Sequence, residues 1–157
     1  MSQPFQIMKV NGFKTSGVLQ IGASMGQEVE AISNSGSSIS ILVEPLPEPY
    51  SILKEKAMKF KNMTTIQALC SNKSGEEVDF QIADNAGMSS SILKPENHLS
   101  KIHPEVKFKY SKKIKTITVD DMMSAVKKRL GLPIEKIDTL LMDVQGAEHL
   151  VIEGSAW

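Results

Sequence analysis

Apolar positions along the chain fall into short solid runs separated by helical stripes. Val18-Leu19-Gln20-Ile21 is a strand-length run that leads directly into Gly22-Ala23-Ser24-Met25-Gly26. From Gln27 to Ile32 the spacing predicts a helix with Val29 and Ile32 on one face, stopped by Ser33-Asn34-Ser35-Gly36. Ile39 to Val43 is β-branched and almost wholly apolar, as a strand buried on both faces should be, and it ends in Glu44-Pro45. An amphipathic helix is predicted over 47–61, with Tyr50, Leu53, Ala57 and Phe60 on its apolar face and Lys54, Glu55 and Lys61 elsewhere. Thr64 to Leu69 reads as a third strand. Residues 1–17 are a weakly patterned lead-in containing Gly12 and Gly17.

Strand, helix, strand, helix, strand implies a parallel sheet with right-handed crossovers. Residues 71–116 interrupt that rhythm. Val78 to Ile82 and Lys113 to Val119 alternate like half-exposed strands around a loop at about 84–112, predicting an antiparallel insertion at 74–119. Asp120 or Asp121 is the expected cap of a helix from Met122 to Leu130, ended by Gly131 and Pro133. Thr139 to Met142 is a further buried strand ending in Asp143, and Gly146-Ala147 opens a helix. The expected fold is α/β, a mostly parallel sheet with helices on both faces, in a single domain over 1–157. Four core strands and a last helix only just begun make that domain look C-terminally incomplete.

Composition narrows the functional classes. Eighteen basic residues balance 18 acidic ones, 41% of the chain is hydrophobic, and aromatics number eight. An ordinary globular domain fits these values, and intrinsic disorder does not. The absent basic excess and scarce aromatics argue against a nucleic-acid partner. No apolar stretch approaches the roughly 18 residues of a membrane helix, and MSQPFQIMKV lacks a signal-peptide pattern. The single cysteine, Cys70, fits a reducing, cytoplasmic setting, and no His/Cys/carboxylate set has metal-ligand spacing. Cys70 itself reads as a buried filler.

Ligands of open α/β sheets bind outside the carboxyl ends of the strands, near the switch in strand order. The first strand ends in Gly22-x-x-x-Gly26, the second in Glu44 and the fourth in Asp143, beside the first if the order is 3-2-1-4. Glycines let a backbone approach a ligand, free N–H groups at a helix start favour an anionic group, and an acid at the second strand end can accept two ribose hydroxyls. Taken singly, these are also what a tight turn, a solvated carboxylate and a helix cap look like. Together they share one sheet edge. Neither the pyrophosphate fingerprint G-x-G-x-x-G nor a phosphate loop is present, so a nucleoside with an amino-acid tail fits best.

VLQIGASMGQE, ILVEPLPEPYSILKEK, ALCSNKSGEEVDF, SSSIL, ITVDDM and LLMDVQGAEHLVIEGSA, in that order, resemble the FkbM-type methyltransferases over about 18–156. The resemblance implies a Rossmann-like fold, S-adenosyl-L-methionine as cofactor, and methylation of a hydroxyl on a sugar, glycan or other small-molecule acceptor. It makes Gly22, Ala23, Ser24, Met25 and Gly26 the cofactor loop, and Glu44, with Pro45 after it, the ribose ligand. It puts Ala68, Leu69 and Ser71 near the adenine, and Asp143, Val144 and Glu148 beside the methionine part. Ser89 to Ser91 match a serine run in the family's insertion. Gln20, Asn72 and Gln145 stand where the family usually has acids.

A hydroxyl acceptor must lose a proton, which makes Asp143 the first candidate base, with His98 and His103 in the insertion as further ones. Asp143 serves equally well as a cap or a cofactor-orienting carboxylate. His149 reads as structural. The lysines at 101, 107, 109, 112, 113 and 115 form either a solvated face or a patch for an anionic acceptor. A catalytically silent nucleotide-binding or interaction module of the same fold is the alternative. A nicotinamide-dependent oxidoreductase is disfavoured by the missing fingerprint.

Overall fold

Four of the apolar runs become one parallel sheet. The computed structural model describes residues 3–83, 90–92 and 108–156. Its strands β1 (Gly17–Ile21), β2 (Ile39–Val43), β3 (Met63–Ile66) and β7 (Thr139–Met142) are ordered β3-β2-β1-β7. That is the 3-2-1-4 order, under which the fourth strand lies beside the first. Leu19 pairs with Ile41 on one side and Leu140 on the other. Every residue of β1 and β2 is buried, so both faces of the sheet centre are covered, as the unbroken apolar runs require.

This sheet belongs to a unit made of Met1–Gln67 and Met123–Met142. On one face, Val18 and Leu42 pack with Val29 and Ile32 of α2 (Val29–Ser33) and with Leu53 and Ala57 of α3 (Pro47–Ala57). Tyr50 and Phe60, assigned to the same stripe, lie partly buried against that cluster. The helix ends earlier than its pattern, because Phe60 N–H bonds back only three residues to the Ala57 carbonyl. The helix after the glycine loop also starts late, at Val29 rather than Gln27. The weakly patterned lead-in contains a helix, α1 (Gln3–Val10). The segment that follows, at 15–17, is fastened by Asp138, whose carboxylate accepts from Thr15 Oγ1 (2.8 Å), Ser16 N–H (2.9 Å) and Thr139 Oγ1 (3.0 Å).

The second unit comprises Ala68–Met122 and Asp143–Trp157. Its sheet has the order β4-β6-β5, from β4 (Leu69–Cys70), β6 (Phe108–Ile117) and β5 (Glu77–Ala83). β5 and β6 are antiparallel, as expected of the insertion, whereas β4 runs parallel to β6. The expected single strand over 64–69 is therefore two: β3 stops at Ile66, and Leu69 and Cys70 pair instead with Thr116 and Ile117. Ser91 and Gln81 exchange backbone hydrogen bonds.

Helix α4 (Val119–Leu130) begins before the expected aspartate cap. Thr118 takes that place: its Oγ1 accepts the N–H of Asp121 at 3.2 Å, and Ser74 Oγ accepts the N–H of Thr118 at 2.8 Å while donating to Asp121. Met122 and Val126 are buried as the stripe predicts, but Leu130 is exposed. A final helix, α5 (Glu148–Glu153), follows the turn opened by Gly146. Among the described residues, no helix is long and apolar enough to cross a membrane.

Candidate functional site

In the first unit the carboxyl ends of β1 and β2 are joined through Glu44. This residue is 6% exposed, and both its oxygens are engaged by backbone donors. Ser24 N–H gives to Oε2 and Leu46 N–H to Oε1, each at 2.9 Å. The carboxylate thus fastens the glycine loop while each oxygen keeps a further lone-pair direction. Burial pushes the Glu44 carboxyl above its ordinary value, against the pull of the Leu46 and Ser24 N–H groups.

The loop is held elsewhere as well. Gly22 and Ala23 N–H both donate to the Val43 carbonyl, at 3.0 and 2.9 Å. Lys56 Nζ, from α3, donates to the Met25 carbonyl at 2.7 Å. Lys56 was not singled out by the sequence pattern, since its contact depends on where α3 lies rather than on any motif. Gly22, Ser24 and Gly26 have φ of 80°, 46° and 72°, a sharply folded loop in which Ser24 carries the strain of a non-glycine residue. Among the described residues, three buried side-chain atoms at or beside it have no hydrogen-bond partner: Gln20 Oε1, Ser24 Oγ and Glu28 Oε2. Gln20 is only 5% exposed, and an orphaned acceptor there is costly unless a ligand satisfies it. Pro45 is half-buried, and its carbonyl accepts Gln67 Nε2 at 3.2 Å.

The other predicted site residues belong to the second unit. Ala68 is half-buried, while Leu69 and Ser71 are buried in and after β4. Asp143, directly after β7, is exposed, and its Oδ1 accepts the side-chain amide of Gln145 at 2.6 Å. Glu148 Oε1 accepts the N–H of Val144 at 3.1 Å and of Gly146 at 3.4 Å, so this carboxylate closes the turn before α5. Asn72 donates to Glu153 at 3.0 Å.

Gly22 to Gly26, Glu44 and Pro45 therefore come together in one unit, and the remaining predicted ligands lie in the other. His98, His103 and Ser89 fall outside the described residues. His149 is exposed on α5. Desolvation pushes the Cys70 thiol up to about 12, which makes it inert and agrees with its reading as a filler. On the β5–β6 ribbon, Lys113 faces Asp79 and pairs with Glu77 at 3.3 Å, and Lys115 lies opposite Glu77. Acids thus sit across from these lysines, which favours the solvated face over an anion-binding patch; Lys101 and Lys107 are outside the described residues.

The model of the methyltransferase FkbM domain matches residues 20–157. The 2-O-methyltransferase NoeI of Sinorhizobium fredii is 30% identical over 144 residues, covering 87% of this chain and 56% of that protein. The chain thus spans a little over half the length of that relative.

Proposed function

Because the chain belongs to the FkbM methyltransferase family, we propose that it binds S-adenosyl-L-methionine and serves in methyl transfer to a hydroxyl of a small-molecule or glycan acceptor, as one domain in a reducing, cytoplasmic setting. The observation that carries this reading is Glu44, a buried carboxylate at the end of β2 whose two oxygens are oriented by Ser24 and Leu46 N–H. Such a group suits a pair of neighbouring ribose hydroxyls. Gln20 Oε1 and Ser24 Oγ, buried without partners among the described residues, are acceptors of the kind an amino-acid ammonium or a ribose hydroxyl satisfies.

When bound, the cofactor supplies an electrophilic methyl group on a sulfonium, so the protein's task is alignment and proton removal. In the first unit the Gly22–Gly26 loop and Glu44 would hold the nucleoside; for the second unit, the family resemblance alone implies Ala68, Leu69 and Ser71 for the base and Asp143, Val144 and Glu148 for the methionine end. Asp143 is also the first candidate to take the acceptor's proton, with His98 and His103 behind it. Similarity to NoeI, a 2-O-methyltransferase, supports oxygen as the acceptor atom.

Calorimetric titration of the 157-residue chain with S-adenosylhomocysteine, with NAD as the comparison, tests this. Saturable binding of the former and none of the latter is expected. A chain that is folded by circular dichroism yet binds neither would overturn the reading in favour of a silent module.

A further inference from the structure

Gln145 occupies a backbone position that favours glycine, with φ 56°. Closing the turn does not require its side chain. Glu148 does that from the other end, taking the N–H groups of Val144 and Gly146. What the Gln145 side chain adds is a short bond, 2.6 Å from Nε2 to Oδ1 of Asp143. A charge-assisted contact of that length fixes the carboxylate by one oxygen. Both side chains are exposed, where water would otherwise serve Asp143 equally well. A strained residue kept at a site that glycine would fit is therefore explained by what its side chain holds.

We propose that Gln145 is a positioning residue that orients the Asp143 carboxylate for ligand. The use of Asp143 rests on the proposed function; the clamp itself does not. If the side chain were idle, Gln145→Gly would be simply beneficial, relieving the left-handed backbone. The clamp instead predicts opposite signs in two measurements on the same variant.

The experiment compares Gln145→Gly, Asp143→Ala and the double variant of the full chain. It reads thermal midpoint, S-adenosylhomocysteine affinity by calorimetry and the Gln145 side-chain amide resonance by NMR. Gln145→Gly is expected to raise the thermal midpoint yet weaken affinity about tenfold, the effect of losing one oriented charged hydrogen bond. In the Asp143→Ala background it should still raise the midpoint but cost no further affinity. The Gln145 amide proton should shift when Asp143 becomes Ala. An unshifted amide, or an affinity loss from Gln145→Gly that persists undiminished in the double variant, would overturn the clamp. A shifted amide with unchanged affinity in Asp143→Ala would support the clamp and overturn the ligand role assigned to Asp143.

Discussion

Replacing Glu44 with Gln separates what the carboxylate does for the fold from what it does for a ligand. The amide has one acceptor oxygen where the carboxylate has two. Either Ser24 or Leu46 N–H, each 2.9 Å from an oxygen in the native chain, then faces a donor. An unsatisfied buried N–H costs about 1–3 kcal/mol. The loss of charge acts oppositely, because desolvation already holds the Glu44 carboxyl above its ordinary value despite the N–H groups of Leu46 and Ser24. The net change in stability should therefore be small, about 1 kcal/mol of destabilisation near neutral pH. Ligand binding has no such compensation. Two ribose hydroxyls donating to a charged acceptor contribute about 3 kcal/mol together, so S-adenosylhomocysteine affinity should fall about a hundredfold. Calorimetry gives that number, and urea denaturation gives the stability. The pH dependence supplies a sign. A carboxyl raised in the folded state contributes stability that is full below its unfolded value, near 4.3, and is lost as pH rises through the folded value. The deficit of Glu44→Gln should therefore shrink as pH rises from about 4 toward neutrality. Affinity within threefold of the native chain, in a variant that melts normally, would refute the ligand role. A deficit that grows with pH would refute the desolvation account.

Other residues give further tests. Gly26→Ala adds a Cβ at φ 72°, 2.9 Å from Val29 Cγ2 and 3.0 Å from Leu53 Cδ1; strain and crowding together should cost about 2–4 kcal/mol in urea denaturation. A loss below about 0.5 kcal/mol would mean that the loop is not packed on α3 as described. Asp138→Ala should destabilise by about 1–2 kcal/mol near neutral pH, a modest figure because the group is exposed. Desolvation raises the Asp138 carboxyl, but the hydrogen bonds from Ser16, Thr15 and Thr139 outweigh it and hold the group well below the usual carboxylate range. That stability is present above the unfolded value and lost as pH falls through the folded one, so the difference between native and variant should close in strong acid. Cys70, buried with its thiol pushed up to about 12, should react with an aromatic disulfide reagent only as the chain unfolds; rapid labelling under native conditions would contradict its burial.

The sheet was legible because its central strands are buried on both faces and so leave unbroken apolar runs. The stripe of Tyr50, Leu53, Ala57 and Phe60 was legible for a related reason, since periodicity records which face meets a core. Helix α1 left a weaker record: among its described side chains Ile7 and Val10 are exposed, and Met8 is only partly buried against the core. The break between Ile66 and Leu69 is set by Thr116 and Ile117, about fifty residues on, and a local pattern carries no trace of a distant pairing partner. Thr118 lost out to the aspartates as a cap because all are good caps, and Ser74 decides among them from outside the helix. At the candidate site, the glycines and Glu44 could be read from strand ends. The grip of Lys56 on the loop, and the amides of Asn72 and Gln145 donating to carboxylates, could not. Residue type gave the chemistry of these groups, and only tertiary placement gave their partners.

The tie at Asp138 also bears on where this domain can be cut. The family match starts at residue 20, within β1, yet Asp138 grips Thr15 and Ser16, and the strand itself starts at Gly17. A fragment trimmed to the matched boundary would begin inside the central strand of the parallel sheet and deprive the carboxylate of the donors at Thr15, Ser16 and Gly17. Expression and grafting work should treat residue 15 or earlier as the front edge of the cooperative unit, whatever the homology boundary suggests.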